Sequence, residues 1–138
     1  MDAMTEMFGE VIHSYTRAQA IEDGVLVDVS TMAQEAGFKF PVVVTQKLHA
    51  EVLTPDKRAE EFGQSFDGRL WDALHMLLMS IKGSLPSKTY RSGMNQITEY
   101  QCYFVMKARQ RKLLTLKAIC GPGDNREPTI TLMMIDED

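Results

Sequence analysis

At Pro86 the spacing of apolar residues changes from the helical period of about 3.6 to the strand period of 2, and no all-α or all-β architecture accommodates both halves. Before the proline, Gly68 to Lys82 places Leu70, Leu74, Leu77, Leu78 and Ile81 on one stripe with Trp71 at its edge, as a core-facing helix requires. The opposite face carries Asp72, Met76 and Met79, and the two methionines are candidate contact residues for self-association. After the proline, Tyr100–Lys107, Leu113–Cys120 and Thr129–Ile135 alternate, with Cys102, Phe104, Met106, Leu114, Leu116, Ala118, Cys120, Ile130, Leu132 and Met134 on one face. Alternation of that kind marks a sheet packed on one side, and the connections at 108–112 and 121–128 are short enough for hairpins. The expected class is α+β, with a helical N-terminal half on one face of an antiparallel meander of three strands or slightly more.

Shorter elements precede the long helix. Thr16-Arg17-Ala18-Gln19 has the form of a capping box, and Gly24 suits the end of the helix it opens. Val25–Val29 alternates as a short strand, and Ser30 or Thr31 caps a second helix stopped by Gly37. Pro41 fits the first turn of a third helix reaching Leu53, although Val42-Val43-Val44 argues for strand, so 41–53 stays open between the two. A length of 138 residues with 44% hydrophobic side chains suits one domain over 1–138, helical at about 14–82 and stranded at about 100–135, with an ample core.

The net charge of −4 conceals a segregation. Lys82 to Lys117 holds eight basic residues against Glu99 alone, a local charge of +7, while the remaining seven basic and eighteen acidic residues give −11. Cys102 and Cys120 follow an N-terminus with neither a basic start nor an apolar signal region, so a cytoplasmic chain with buried, reduced thiols is expected. The longest apolar stretch, Leu74–Ile81, is far below the ~20 residues that span a bilayer, and no membrane association is expected.

The motifs that suggest chemistry each have a plainer structural explanation. Gly121-Pro122-Gly123-Asp124 lacks the lysine and hydroxyl residue of a phosphate loop and reads as a type II turn with Pro122 and Gly123 at its centre. His49-Ala50-Glu51 matches half of a zinc deaminase signature whose Pro-Cys-x-x-Cys half is missing; a metal site would need the two thiols to meet across a hairpin. His75, one turn after Trp71, suits a shield over the core, and Asp136-Glu137-Asp138 suits solvation. Neither a metal nor a cofactor is expected. Lys107, Arg109, Arg111 and Lys112 cluster at a hairpin tip whose first strand carries Tyr100, Tyr103 and Phe104. Cations interleaved with aromatics can hold phosphates and stack bases, while a basic tip also serves solubility and edge protection.

Ile12-His13-Ser14-Tyr15-Thr16, with Ala20-Ile21 and Gly24-Val25-Leu26 after it, is similar to the opening of ADP-ribosyltransferase-like domains. That resemblance implies nicotinamide-side recognition by His13 and ribose placement by Tyr15 or Thr16. Over nearly its full length the chain also resembles an uncharacterised bacterial domain family common on phages, plasmids and other mobile elements. The matching stretches are Phe8–Ile12, Tyr15–Val29, Glu35–Phe38, Gly68–Asp72, Leu114–Lys117, Gly121–Asp124 and Glu127–Thr131. This likeness implies a single domain and no catalytic residue. The expected function is therefore that of a non-enzymatic binding protein, an accessory factor of a mobile element that docks on a host or phage protein machine and antagonises a nucleic-acid-targeting defence. Two alternatives remain: a nucleic-acid-binding module using Lys107, Arg109, Arg111, Lys112 and Tyr103, and an ADP-ribosyltransferase-like enzyme. A homo-oligomer through Met76 and Met79 is compatible with the binding readings.

Overall fold

A computed structural model describes residues 15–107 and 110–137, apart from the side chain of Lys107. Helix α1 (Arg17–Glu22) begins at the expected capping box: the Thr16 hydroxyl accepts from Gln19 N and the Gln19 side chain accepts from Thr16 N. Strand β1 (Leu26–Asp28) and helix α2 (Ser30–Ala36) follow, and Gly37 closes α2 at φ 117°, a left-handed conformation open to glycine. A side chain there would also be strained against Leu78, since a Cβ would lie 3.2 Å from its methyl group.

The open segment 41–53 divides in two. Val42–Thr45 is strand β2, and its three valines are all buried because both faces of this strand are covered, which explains a continuous apolar run in place of alternation. Thr45 then ends the strand and caps helix α3 (Gln46–Leu48), accepting from Leu48 N at 3.2 Å; the helix continues as a π-helical turn, His49–Leu53. Helix α4 (Lys57–Glu61) is capped by Asp56. The long helix α5 (Phe66–Ile81) starts at the Ser65 cap, two residues before the expected Gly68. Its buried stripe is Arg69, Leu70, Ala73, Leu74, Leu77 and Ser80. Ile81, expected in the core, is 54% exposed at the far end of the helix.

Four strands complete the chain: β3 (Ser87–Ser92), β4 (Asn95–Lys107), β5 (Gln110–Pro122) and β6 (Pro128–Met134). The α+β class holds, but the sheet is six-stranded in the order β1-β2-β6-β5-β4-β3, with β2 parallel to β6 and every other pair antiparallel. The expected meander β4–β5–β6 is its centre. Strand β3 escapes a reading by alternation because it is an edge strand exposed at every position, so no apolar face is imprinted on it.

Helix α5 lies on the inner face of the sheet, where Tyr100, Cys102, Phe104, Leu116, Ala118, Ile130 and Leu132 meet Leu70, Ala73, Leu74 and Leu77. Two polar groups inside this layer are satisfied by backbone carbonyls, as burial demands. The Tyr100 hydroxyl donates to Ala73 O at 2.8 Å, and Arg69, 3% exposed, donates to Val52 O at 2.8 Å and to Val105 O at 2.5 Å. One guanidinium thus ties the π-helical turn, α5 and β4 together.

The Gly-Pro-Gly turn falls two residues later than expected. Strand β5 runs through Pro122, which pairs with Pro128 at the end of the ladder, where neither needs an N–H. The turn is Gly123–Arg126, closed by Arg126 N to Gly123 O, with Arg126 at φ 65°. Asp124 then serves a structural purpose: its carboxylate accepts from Arg17 N at 2.8 Å and Ala18 N at 3.1 Å, so the β5–β6 turn caps α1. Arg17 replies by donating to Thr131 Oγ1 and Ile130 O, holding α1 on the outer face of β6.

Candidate binding face

Strand register decides which of the predicted hairpin residues share a surface. Val105 pairs with Arg111 and Tyr103 with Leu113, so these four side chains lie on the outer face, away from α5. Tyr103 is 54% exposed, and the Arg111 guanidinium carbon stands 5.3 Å from its ring centroid, within the range of a cation–π contact. Phe104 and Lys112 face each other on the other side of the sheet, so the pleat divides the expected cationic cluster. Lys112 is exposed there beside Asp56 and Met106. Arg109 and the Lys107 side chain lie outside the described residues. Of the three aromatics on the first strand of the hairpin, Tyr100 and Phe104 are core residues and only Tyr103 is open to a partner.

A second aromatic–cation pair lies on the unanticipated strand. Lys88 and Tyr90 point to the same outer face as Tyr103, through the pairings of Lys88 with Glu99 and Tyr90 with Ile97. The Lys88 ammonium is 5.4 Å from the Tyr90 ring centroid. The Tyr90 hydroxyl donates to the Glu99 carboxylate at 2.6 Å, and holding that proton against a negative charge raises the phenol above its usual pKa. Between the two pairs run Gln101 and Thr115, also cross-strand partners. The face is an open, mostly polar surface with a ring and a cation at each end.

The remaining candidates have structural partners. His49 is half-buried with its ring 4.9 Å from Phe66, and His75 stacks parallel to Trp71 at a centroid distance of 6.4 Å. Cys102 is buried and Cys120 half-buried; Cys102 pairs with Leu114 whereas Cys120 pairs with Gln96, six positions along β4. That offset corresponds to about 20 Å, so the thiols do not meet across the hairpin. Burial, and secondarily the charge of Asp72, pushes the Cys102 thiol up to about 12. Among the described residues no three of His, Cys, Asp and Glu gather as a metal-binding set. The C-terminal acids form a clasp instead of merely facing solvent. The Glu137 carboxylate accepts from the Thr45 hydroxyl and from Met134 N, and Asp136 pairs with Lys47 at 2.9 Å.

Met76 is half-buried and packs against the core, and Met79 is half-buried beside it. Tyr15 donates to Asp23 and Thr16 caps α1, so both hydroxyls implied by the ADP-ribosyltransferase resemblance hold the first helix; His13 lies outside the described residues. Among the described residues no helix is long and apolar enough to cross a membrane.

The fold and this face define an α+β domain built on a six-stranded mixed sheet whose outer surface is open over β3–β5. The chain belongs to a family of unknown function, DUF6573, which matches residues 4–138. No curated protein and no solved structure matches it.

Proposed function

We propose that the chain is a non-enzymatic binding protein that holds single-stranded nucleic acid on the outer face of β3–β5. The carrying observation is the pairing of an exposed tyrosine with a cation at two places on one face, Tyr103 with Arg111 and Tyr90 with Lys88. An aromatic ring offers a stacking surface to any base, and the neighbouring cation offers its charge to the adjacent phosphate. The +7 stretch Lys82–Lys117 forms β3, β4 and most of β5, so the local field favours a polyanion although the whole chain is acidic.

Binding of labelled single-stranded DNA, RNA and duplex at 50 and 200 mM salt tests this reading. The expected pattern is a preference for single strands that weakens with salt. Tyr103→Ala should remove roughly 1–3 kcal/mol, the worth of one base stacked on an aromatic ring. Arg111→Glu should weaken binding further and flatten its salt dependence. A chain indifferent to all three polymers at both salts would return the function to docking on a protein machine of a host or phage through its acidic portion, as an accessory of a mobile element.

A further inference from the structure

The two ring–cation pairs of the outer face repeat in the same order along the sheet. Followed toward the C-terminal end of β4, Tyr90 stands beside Ile97 and its cation Lys88 is level with Glu99. Six residues after Ile97, Tyr103 stands beside Leu113 and its cation Arg111 is level with Val105. Each unit is thus an exposed ring with an aliphatic ladder partner and, two residues further along, a cation. The offset of six residues sets the two rings about 20 Å apart in the strand direction. Gln101 and Thr115 occupy the interval and carry no charge. Glu99, the one carboxylate on this face of β3–β5 among the described residues, accepts the Tyr90 hydroxyl and lies between Lys88 and Lys117 in the ladder.

We infer that the face holds a strand at two points and in one direction, over a footprint of roughly four to six nucleotides, an inference that rests on the nucleic-acid reading above. Direction follows from the order of the units. A polynucleotide repeats base and phosphate with fixed polarity, so two ring–cation units related by translation accept the same strand direction, whereas mirrored units would demand opposite ones. The footprint follows from the spacing. At the stacked rise of ~3.4 Å per nucleotide the interval takes about six steps, and bases splayed onto separate rings extend the backbone and lower that number. A strand too short to reach both rings gains a single stack. One that spans them makes its second stack intramolecularly, so affinity rises abruptly at the spanning length. The uncharged interval leaves the phosphate contacts to the two ends, which is what separates a two-point grip from a continuous basic track.

Oligothymidylates of about two to ten nucleotides, titrated on the full chain at low salt, measure the step. Affinity is expected to climb about tenfold or more between roughly three and six nucleotides, the worth of one added stack. Tyr90→Leu should remove the step and leave the binding of the shortest strands to Tyr103, whereas Tyr90→Phe, which keeps the ring, should retain it. Direction is read in the wild-type chain with 5-iodouracil at one end of a strand of about six nucleotides. The 5′ end should cross-link to one of Tyr90 and Tyr103 and the 3′ end to the other. A smooth rise with length, a step that survives Tyr90→Leu, or equal cross-linking of either end to both tyrosines overturns the inference and leaves strand binding itself standing. Absence of binding at every length overturns the nucleic-acid reading and this inference with it.

Discussion

Arg69 shows why a single charged residue can be invisible in a periodic pattern and still hold a fold. Its position on the stripe of α5 is an apolar position, yet its guanidinium donates to Val52 O and Val105 O from a site 3% exposed. Burial pulls its pKa below the ordinary arginine value, opposed in part by Asp56, and an arginine remains charged nonetheless. Arg69→Met would keep much of the volume and leave two carbonyls without donors, a loss of roughly 2–5 kcal/mol measurable by urea unfolding. Cys102 provides a titration at the same scale. Its folded pKa of about 12 lies above the ordinary 9.0, so the neutral thiol favours the folded state fully below pH 9 and that contribution disappears as pH rises toward 12. Cys102→Val should therefore flatten the fall of stability between pH 9 and 12. An unchanged slope would assign that fall to other groups, of which Tyr100, buried and also raised well above 10, is the first.

At the scale of elements, legibility follows burial. Helix α5 and strands β4, β5 and β6 could be read because each presents one face to the core and one to solvent, which writes its period into the sequence. Strand β2 reads ambiguously because Val42, Val43 and Val44 are buried on both sides, and β3 is unreadable because it is buried on neither. The candidate face inherits that limitation: Tyr103 and Arg111 were visible on a recognisable hairpin, whereas Lys88 and Tyr90 lie on the strand without a pattern. The division of Arg111 from Lys112 needed only the pleat and could have been anticipated once strand register was known. Asp124 is the converse case, a residue in a suggestive motif whose partners are 107 and 106 positions away in the chain. Replacing it with alanine should cost about 1 kcal/mol, as loss of a helix cap does, and should raise amide exchange in α1 before any other helix. Uniform exchange across the helices would mean that the Thr16–Gln19 capping box and Arg17 hold α1 without Asp124.

For the whole molecule, the decisive element is β6. The chain places its last strand between β5 and β2, antiparallel to one and parallel to the other, so among the described strands β6 is the hydrogen-bonded link between the pair β1–β2 and the meander. No local pattern encodes that insertion, since it is a pairing between segments more than 80 residues apart, such as Val44 with Leu132. Leu132 is fully buried at the centre of this junction, among Val42, Val44, Leu116 and Ala118. Leu132→Ala should cost about 3 kcal/mol, the middle of the range for buried leucine truncations. Because both parts of the sheet use β6, that loss should appear equally in amides of β1–β2 and of β4–β5, and emission of Trp71 on α5 should report the same unfolding midpoint. If β1–β2 lost protection while β4–β5 and Trp71 kept their wild-type stability, the two parts would be separable units. The shared strand makes the first outcome the expected one: a defect in β6 removes the hydrogen-bonded neighbour and the inner-face packing of both sides at once.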